Sequence, residues 1–349
     1  MSASQIMAEF DDARLEDPAA LARADEVLRR VAGAGARIRI EAEKSAEPIA
    51  SLEPTKPRAI IAVGTEARLV RAMLEPTCPV PFVAWPRHGL PGWVGPLDLV
   101  VVMAPEGGSP DLVATVHEGV RRGCMLLIAC PPGSAIAEYA GSRATTLLPT
   151  CTGDPLAVAV QMFHALSRLG LGPDVDPQQV ADAMDKVAEE CSPFVDLAIN
   201  PAKDLALALA DSQPLVWGGS VLAARAGRRV AEALRAASGR PALSADADEL
   251  LIVLDAASSR DPFEDPFEQV VSDRRPVLLI LDDGLGAEAV HVARNRLIAM
   301  AEGRDVRVSL ISHHDGSEIE RYAALLATGW FAAAYLEVGL TADDDFDRR

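Results

Sequence analysis

The chain has 349 residues, enough for one large domain or two of ordinary size. Hydrophobic residues make up 49% and charged residues 24%, which excludes a disordered composition. Asp plus Glu number 51 against 33 Lys plus Arg, and the resulting charge of -18 repels phosphate backbones and anionic lipid, so neither nucleic acid nor a membrane surface is expected as a partner.

No apolar run reads as a membrane span of roughly 18 to 20 residues. Residues 1–18 are acidic and lack a basic segment followed by an apolar one, so they do not read as a secretory signal. A cytoplasmic protein is expected. The five cysteines (Cys78, Cys124, Cys130, Cys151 and Cys191) are odd in number, with no Cys-x-x-Cys pair and no zinc spacing. Cys124 and Cys130 flank an apolar run and should pack as small hydrophobes. With 4% aromatics and abundant Ala, many helices covering sheets of small aliphatic residues are expected.

In chain order, residues 1–50 read as a helical arm. Arg58 to Val63, Val80 to Trp85, Asp98 to Met103 and Met125 to Cys130 are short aliphatic runs bounded by Gly or Pro, and read as buried strands. Glu66 to Leu74 and Ser109 to Gly123 between them have helical apolar spacing. The second starts with Ser109 as N-cap, Pro110 at the first helical position and Asp111 in the first turn. Pro155 to Leu169 reads as a long apolar helix, after which Gly170 to Pro177 punctuates the chain. A second alternating block follows, with strands at Leu215 to Trp217, Glu249 to Leu254, Val277 to Leu281 and Val306 to Ile311. Its helices are Val221 to Ala237, Ala287 to Glu302 and Ser317 to Val338. Alternation of this kind predicts an α/β fold of two α/β/α sandwich halves with parallel sheets. The expected division is 51–175 and 190–340, split near 171–195, with an acidic tail at 341–349.

The order of several segments resembles a known family. Pro79-Val80-Pro81-Phe82, Leu90-Pro91-Gly92-Trp93-Val94 and Asp98 to Val102 are similar to the first SIS (sugar isomerase) domain of bifunctional phosphoglucose/phosphomannose isomerases. Asn200-Pro201-Ala202-Lys203-Asp204-Leu205-Ala206 resembles the segment entering that family's second SIS domain, and Gly329 to Leu336 its final helix. Phe10-Asp11-Asp12 fits its beginning. The resemblance runs from about residue 10 to 340 and is greatest to a divergent actinobacterial branch labelled TobH-like. It implies two flavodoxin-like SIS halves, a hexose phosphate ligand, no cofactor and a homodimer.

The family interconverts aldose and ketose phosphates through an enediol, which needs a phosphate cradle, a carboxylate base, a ring-opening acid/base and a cation. The family's first phosphate loop aligns with Gly64-Thr65-Glu66-Ala67, where only Gly64 is kept. Glu66 competes with phosphate for the amides of a helix N-terminus, and equally reads as an ordinary first-turn carboxylate. The second loop aligns with Ala104 to Ser109: both family serines are replaced, by Ala104 and Glu106, while Gly107 and Ser109 remain as ligand-binding candidates. Ser109 also caps its helix without any ligand. The family's Pro-Arg step aligns with Asp154-Pro155, which lacks the cation and reads as a helix start. Glu232 aligns with the catalytic glutamate; alternatively it is a surface carboxylate pairing with Arg228 or Arg235. The ring-opening histidine aligns with Ala247, which carries no proton.

Gly218-Gly219-Ser220 offers a second candidate anion nest at a helix N-terminus, through Gly219 and Ser220. Its other reading is a tight, Ser-capped turn. Lys203 would bring a cation near it, although such lysines more often face solvent. His313-His314-Asp315 resembles a metal cluster only superficially, because adjacent residues after a strand point apart, and no metal site is expected. Asp261-Pro262-Phe263-Glu264 repeats as Asp265-Pro266-Phe267-Glu268, a loop that either folds back on its domain or docks a protein partner through Phe263 and Phe267.

The expectation is therefore a sugar-phosphate-binding SIS protein with its catalytic residues largely lost, regulatory or scaffolding in hexose phosphate metabolism. The alternatives are an active glucose 6-phosphate/mannose 6-phosphate isomerase using Glu232 as base, and a non-catalytic structural dimer that binds protein.

Overall fold

The structure, a computed structural model, describes residues 10–257 and 275–341. The Phe263 and Phe267 loop and residues 342–349 of the acidic tail lie outside the described residues. The chain divides into two compact units, residues 34–182 and residues 1–33 with 183–349.

The N-terminal residues do not form one arm. After a single 3-10 turn, α1 (Pro18–Arg23) and α2 (Asp25–Ala32) belong to the second unit, whereas α3 (Ala34–Ala50) belongs to the first. Phe10 shows why. Its ring lies against Gly339, where any Cβ would overlap it, and Asp11 N donates to Gly339 O at 3.0 Å.

The first unit continues with β1 (Ile60–Val63), α4 (Ala67–Leu74), β2 (Phe82–Trp85), β3 (Leu99–Met103), α5 (Pro110–Arg121) and β4 (Met125–Cys130). It is completed by α6 (Ala135–Tyr139), β5 (Thr145–Pro149) and α7 (Pro155–Arg168). All strands are parallel, in the order β2-β1-β3-β4-β5. Every residue of β1 and β3 is buried, as continuous aliphatic runs in a sheet covered on both faces should be. Cys124 and Cys130 lie in this core. The helices begin where the sequence provides caps. Ser109 accepts from Leu112 N with Pro110 behind it, and Asp154 accepts from Leu156 N and Ala157 N with Pro155 behind it.

Helix α8 (Pro177–Glu190) leads into the second unit, followed by α9 (Pro201–Leu209), β6 (Ser212–Gly218), α10 (Val221–Ser238), β7 (Leu243–Ser244) and α11 (Ala247–Asp255). Next come β8 (Arg275–Asp282), α12 (Glu288–Gly303), β9 (Arg307–Ser312) and α13 (Glu318–Leu340). The parallel sheet has the order β7-β6-β8-β9. Glu249 to Leu254, expected as a strand, is helical. Asp246 and Glu249 form a capping box, and Leu250 and Leu254, four residues apart, both face the core. The strand of this region is the two-residue β7 instead. Helix α13 is the one described helix long and apolar enough to cross a membrane, contrary to the expectation of no such run, but 89% of its apolar window is buried. It is a core helix, carrying Tyr322, Phe331 and Tyr335 inward.

Candidate functional site

In an open parallel sheet the loops leaving the carboxyl ends of two neighbouring strands diverge where the strand order reverses, and ligands lodge in the crevice between them. Each unit has one such point, between β1 and β3 in the first and between β6 and β8 in the second.

In the first unit the lips are Gly64-Thr65-Glu66 and residues 104–109. Gly64, Gly107 and Gly108 have φ values of +93°, +95° and +78°, in the left-handed region that favours glycine. At Gly108 a Cβ would also overlap Ile136 Cδ1, so the loop rests directly on α6. Gly108 and Ser109 are exposed. Ser109 Oγ accepts from Leu112 N at 3.3 Å, which leaves its own proton for another acceptor. Gly64 thus follows β1 on one lip, and Gly107 and Ser109 follow β3 on the other. Each lip carries a carboxylate: Glu66, 6% exposed ahead of α4, and Glu106, exposed after β3. His88 Nδ1 stands 3.3 Å from Asp111 Oδ2 in the first turn of α5.

In the second unit the lips are bonded to each other. Ser220 Oγ donates to Asp283 Oδ2 while accepting from Ala223 N at 2.9 Å. Asp283 is 3% exposed, and its other oxygen takes Leu285 N at 3.1 Å. A Cβ on Gly218 would overlap the backbone of Ala223, and one on Gly219 would overlap Val290. Beside this, Asp282 accepts from Arg294 Nη1 at 2.7 Å and from Gly284 N at 3.0 Å, and lies 3.3 Å from His314 Nε2. Burial pushes the Asp282 carboxyl up, but the Gly284 amide, Arg294 and His314 outweigh it and hold it below the usual carboxylate range. Gly219 and Ser220 thus face a carboxylate, which an incoming anion would meet first.

Lys203 is buried, contrary to the expectation of a solvated side chain. Its Nζ donates to Pro193 O at 3.0 Å and Val195 O at 2.9 Å, 5.7 Å from the Tyr335 ring centroid. Its ammonium is engaged in holding the turn between α8 and α9. Glu232 is exposed on α10 and pairs with Arg229 Nη1 at 3.1 Å, rather than with Arg228 or Arg235. At 1.5 Å per residue it lies about 17 Å along the helix from its start at the β6 turn. Ala247 opens α11 directly behind Asp246. The two histidines after β9 diverge: His313 Nε2 meets Thr328 Oγ1 at 2.9 Å, and His314 Nε2 meets Ser312 Oγ at 2.9 Å. Among the described residues no group of three or more His, Cys, Asp or Glu is placed to hold a metal ion.

Three arrangements were not anticipated from the sequence. Asp283 closes the second crevice. Arg37 on α3 donates to Asp154 Oδ2 at 2.7 Å, placing a guanidinium beside the turn where the family's Pro-Arg step aligns. Glu41 on α3 accepts from Cys151 N and Thr152 N at 3.0 and 2.7 Å. The first follows a recognisable Asp-Asp-Gly after an apolar run; the other two join residues more than a hundred positions apart.

Comparison with known proteins gives this geometry a context. Residues 198–343 match the family described as the bacterial phospho-glucose isomerase C-terminal SIS domain. Among curated proteins the sequence has no significant match. Of the solved structures, tagatose-6-phosphate ketose/aldose isomerase from Escherichia coli is similar at 16% identity, over 91% of this chain and 93% of that one, with a TM-score of 0.60. The C-terminal domain of glucosamine-fructose-6-phosphate aminotransferase from Francisella tularensis is similar at 12% identity, over 86% and 94%, with a TM-score of 0.57. At these identities the likeness carries the fold. The chain is a two-unit protein of the SIS fold, related in architecture to phosphosugar isomerases, and its residues 198–343 match the C-terminal SIS domain of the bacterial phospho-glucose isomerases.

Proposed function

We propose that the chain is a sugar-phosphate-binding SIS protein, akin to the TobH-like branch of the phosphoglucose/phosphomannose isomerases, whose isomerase chemistry is lost and whose role is regulatory. The observation that carries this reading is the place of Glu232, the one candidate base, out on the exposed face of α10 in an ion pair with Arg229. The position aligned with the ring-opening histidine is Ala247, which neither gives nor takes a proton.

Binding is assigned to the β1/β3 crevice. There the left-handed Gly107 and Gly108 lead into Ser109 at the start of a twelve-residue helix, a backbone arrangement that favours an anion. The β6/β8 crevice is disfavoured because Asp283 bonds Ser220 across it. Glu106 and Glu66 on the lips of the first crevice both weaken phosphate affinity; Glu106 is exposed and screened by water, whereas Glu66 is 6% exposed.

Fructose 6-phosphate at millimolar concentration is expected to raise the melting temperature, and fructose is not, because a ligand of the native state alone must stabilise it. Ser109→Asp keeps the helix cap but places a negative charge at the crevice, and should abolish the shift. A wild-type protein whose melting temperature ignores fructose 6-phosphate would count against binding, and the protein-binding reading would then stand.

A further inference from the structure

We infer that the turn between β5 and α7 holds a small monovalent cation through the side-chain oxygens of Glu41, Thr150 and Gln161. Glu41 lies on the buried side of α3 with 0% of its surface exposed. Its Oε1 takes three donors: Cys151 N at 3.0 Å, Thr152 N at 2.7 Å and Thr152 Oγ1 at 2.6 Å. Its Oε2 is buried with no hydrogen-bond partner. Thr150 and Gln161 are each 1% exposed. Gln161 Nε2 donates to Pro149 O at 3.2 Å, which fixes the amide, and its Oε1 has no partner; nor does Thr150 Oγ1. Three buried oxygens without partners therefore flank the four residues 149–152.

Folded proteins leave few buried polar groups unsatisfied, so three at one turn point to an occupant. Glu41 Oε2 and Gln161 Oε1 have no proton to give, and the set is all oxygen, which suits a hard cation. Charge separates a cation from a water molecule. A carboxylate removed from water needs a compensating charge, and the cations of this region are engaged or exposed. Arg37 donates to Asp154 at 2.7 Å, and Lys44 faces solvent. With one carboxylate oxygen and two neutral ones, the site lacks the ligand charge that calcium or magnesium sites use. Potassium or sodium fits it. The ion would tie α3 to the carboxyl edge of the first sheet, making the stability of this unit sensitive to the cation present.

The test is the melting temperature of the full chain in potassium chloride, sodium chloride and tetramethylammonium chloride, each at about 0.1 M so that screening is equal. The melting temperature is expected to be roughly 3 °C or more higher in potassium or sodium than in tetramethylammonium. That difference should vanish in Glu41→Gln. Should that variant fail to fold, Thr150→Val, which removes one oxygen and no charge, decides in its place by shrinking the difference. Equal melting temperatures of the wild type in all three salts, as a bound water would give, overturn the assignment. So does a salt difference that survives in both variants.

Discussion

Truncating Lys203 to alanine is expected to destabilise the protein by about 3–5 kcal/mol, lowering its melting temperature by roughly 10 °C. The residue is 1% exposed, and its alkyl stem fills space between α9 and the Tyr335 ring. Its ammonium is the donor that satisfies the carbonyls of Pro193 and Val195. The same turn is held by Asn200 Nδ2 to Ser192 O at 3.0 Å and by Tyr335 OH to Cys191 O at 2.6 Å. Removing Lys203 leaves a cavity and two carbonyls without donors inside a network otherwise satisfied, and such losses cost more than the bonds were worth in isolation. Burial pushes the ammonium pKa down, while Glu16 and Asp196 favour the charged form. Lys203→Met keeps the stem and isolates the ammonium, so its loss should be smaller, about 1–3 kcal/mol. Thermal or denaturant unfolding of the two variants measures both terms. An alanine variant melting within about 2 °C of the wild type would show that the ammonium does not pin this turn.

The second large effect is acid sensitivity through His313. Thr328 Oγ1 donates its proton to Ala324 O at 3.0 Å, so the bond to His313 must be donated by the imidazole Nε2–H. Burial, with Lys186 and His314 nearby, pushes the imidazole down from 6.5 to about 4, and Asp315 opposes this only in part. The unfolded chain therefore binds more protons than the folded one between these values. The contribution is complete above pH 6.5 and is lost as the pH falls to about 4. The shift corresponds to about 3 kcal/mol at most. His313→Gln retains an N–H for Thr328 and does not titrate. The stability difference between wild type and variant should therefore grow with pH across this window and be flat above it. A difference that is constant from acid to neutral pH would mean that His313 is not held neutral.

How far the sequence reveals this molecule depends on how local each signal is. Strands β1, β3, β4 and β8 are legible because a parallel sheet covered on both faces requires unbroken aliphatic runs, and these are the runs the chain contains. Helices α5 and α7 announce themselves by Ser-Pro-Asp and Asp-Pro at their starts. Residues 249–254 mislead because the five apolar residues 250–254 suit either element, and the capping box at Asp246 and Glu249 settles it for a helix. That Gly64 follows β1, and that Gly107 and Ser109 follow β3, is legible from the strand ends alone. The reading of Lys203 failed on a sound average: lysine is rarely buried, but here carbonyls eight and ten residues upstream fold back onto it. Arg37 on Asp154 and Glu41 on Thr152 are tertiary contacts with no local mark at all, and for Asp283 on Ser220 the Asp-Asp-Gly after β8 marks the turn but not the partner.

These contacts also decide the chemistry. One crevice keeps an exposed, glycine-shaped lip at a helix start, and the other is closed by a carboxylate. On the proposed reading, the positions aligned with the family's proton-moving groups are an exposed Glu232 paired with Arg229 and an alanine at 247. Losing one general acid or base typically removes about two to four orders of magnitude in rate, and on that reading more than one is lost.

The most direct test is a coupled isomerase assay on the purified protein with fructose 6-phosphate, run beside Glu232→Gln. No glucose 6-phosphate or mannose 6-phosphate is expected to form above the level of the variant. Turnover of about 1 s⁻¹ or faster, abolished by Glu232→Gln, would contradict it and return Glu232 to the role of catalytic base.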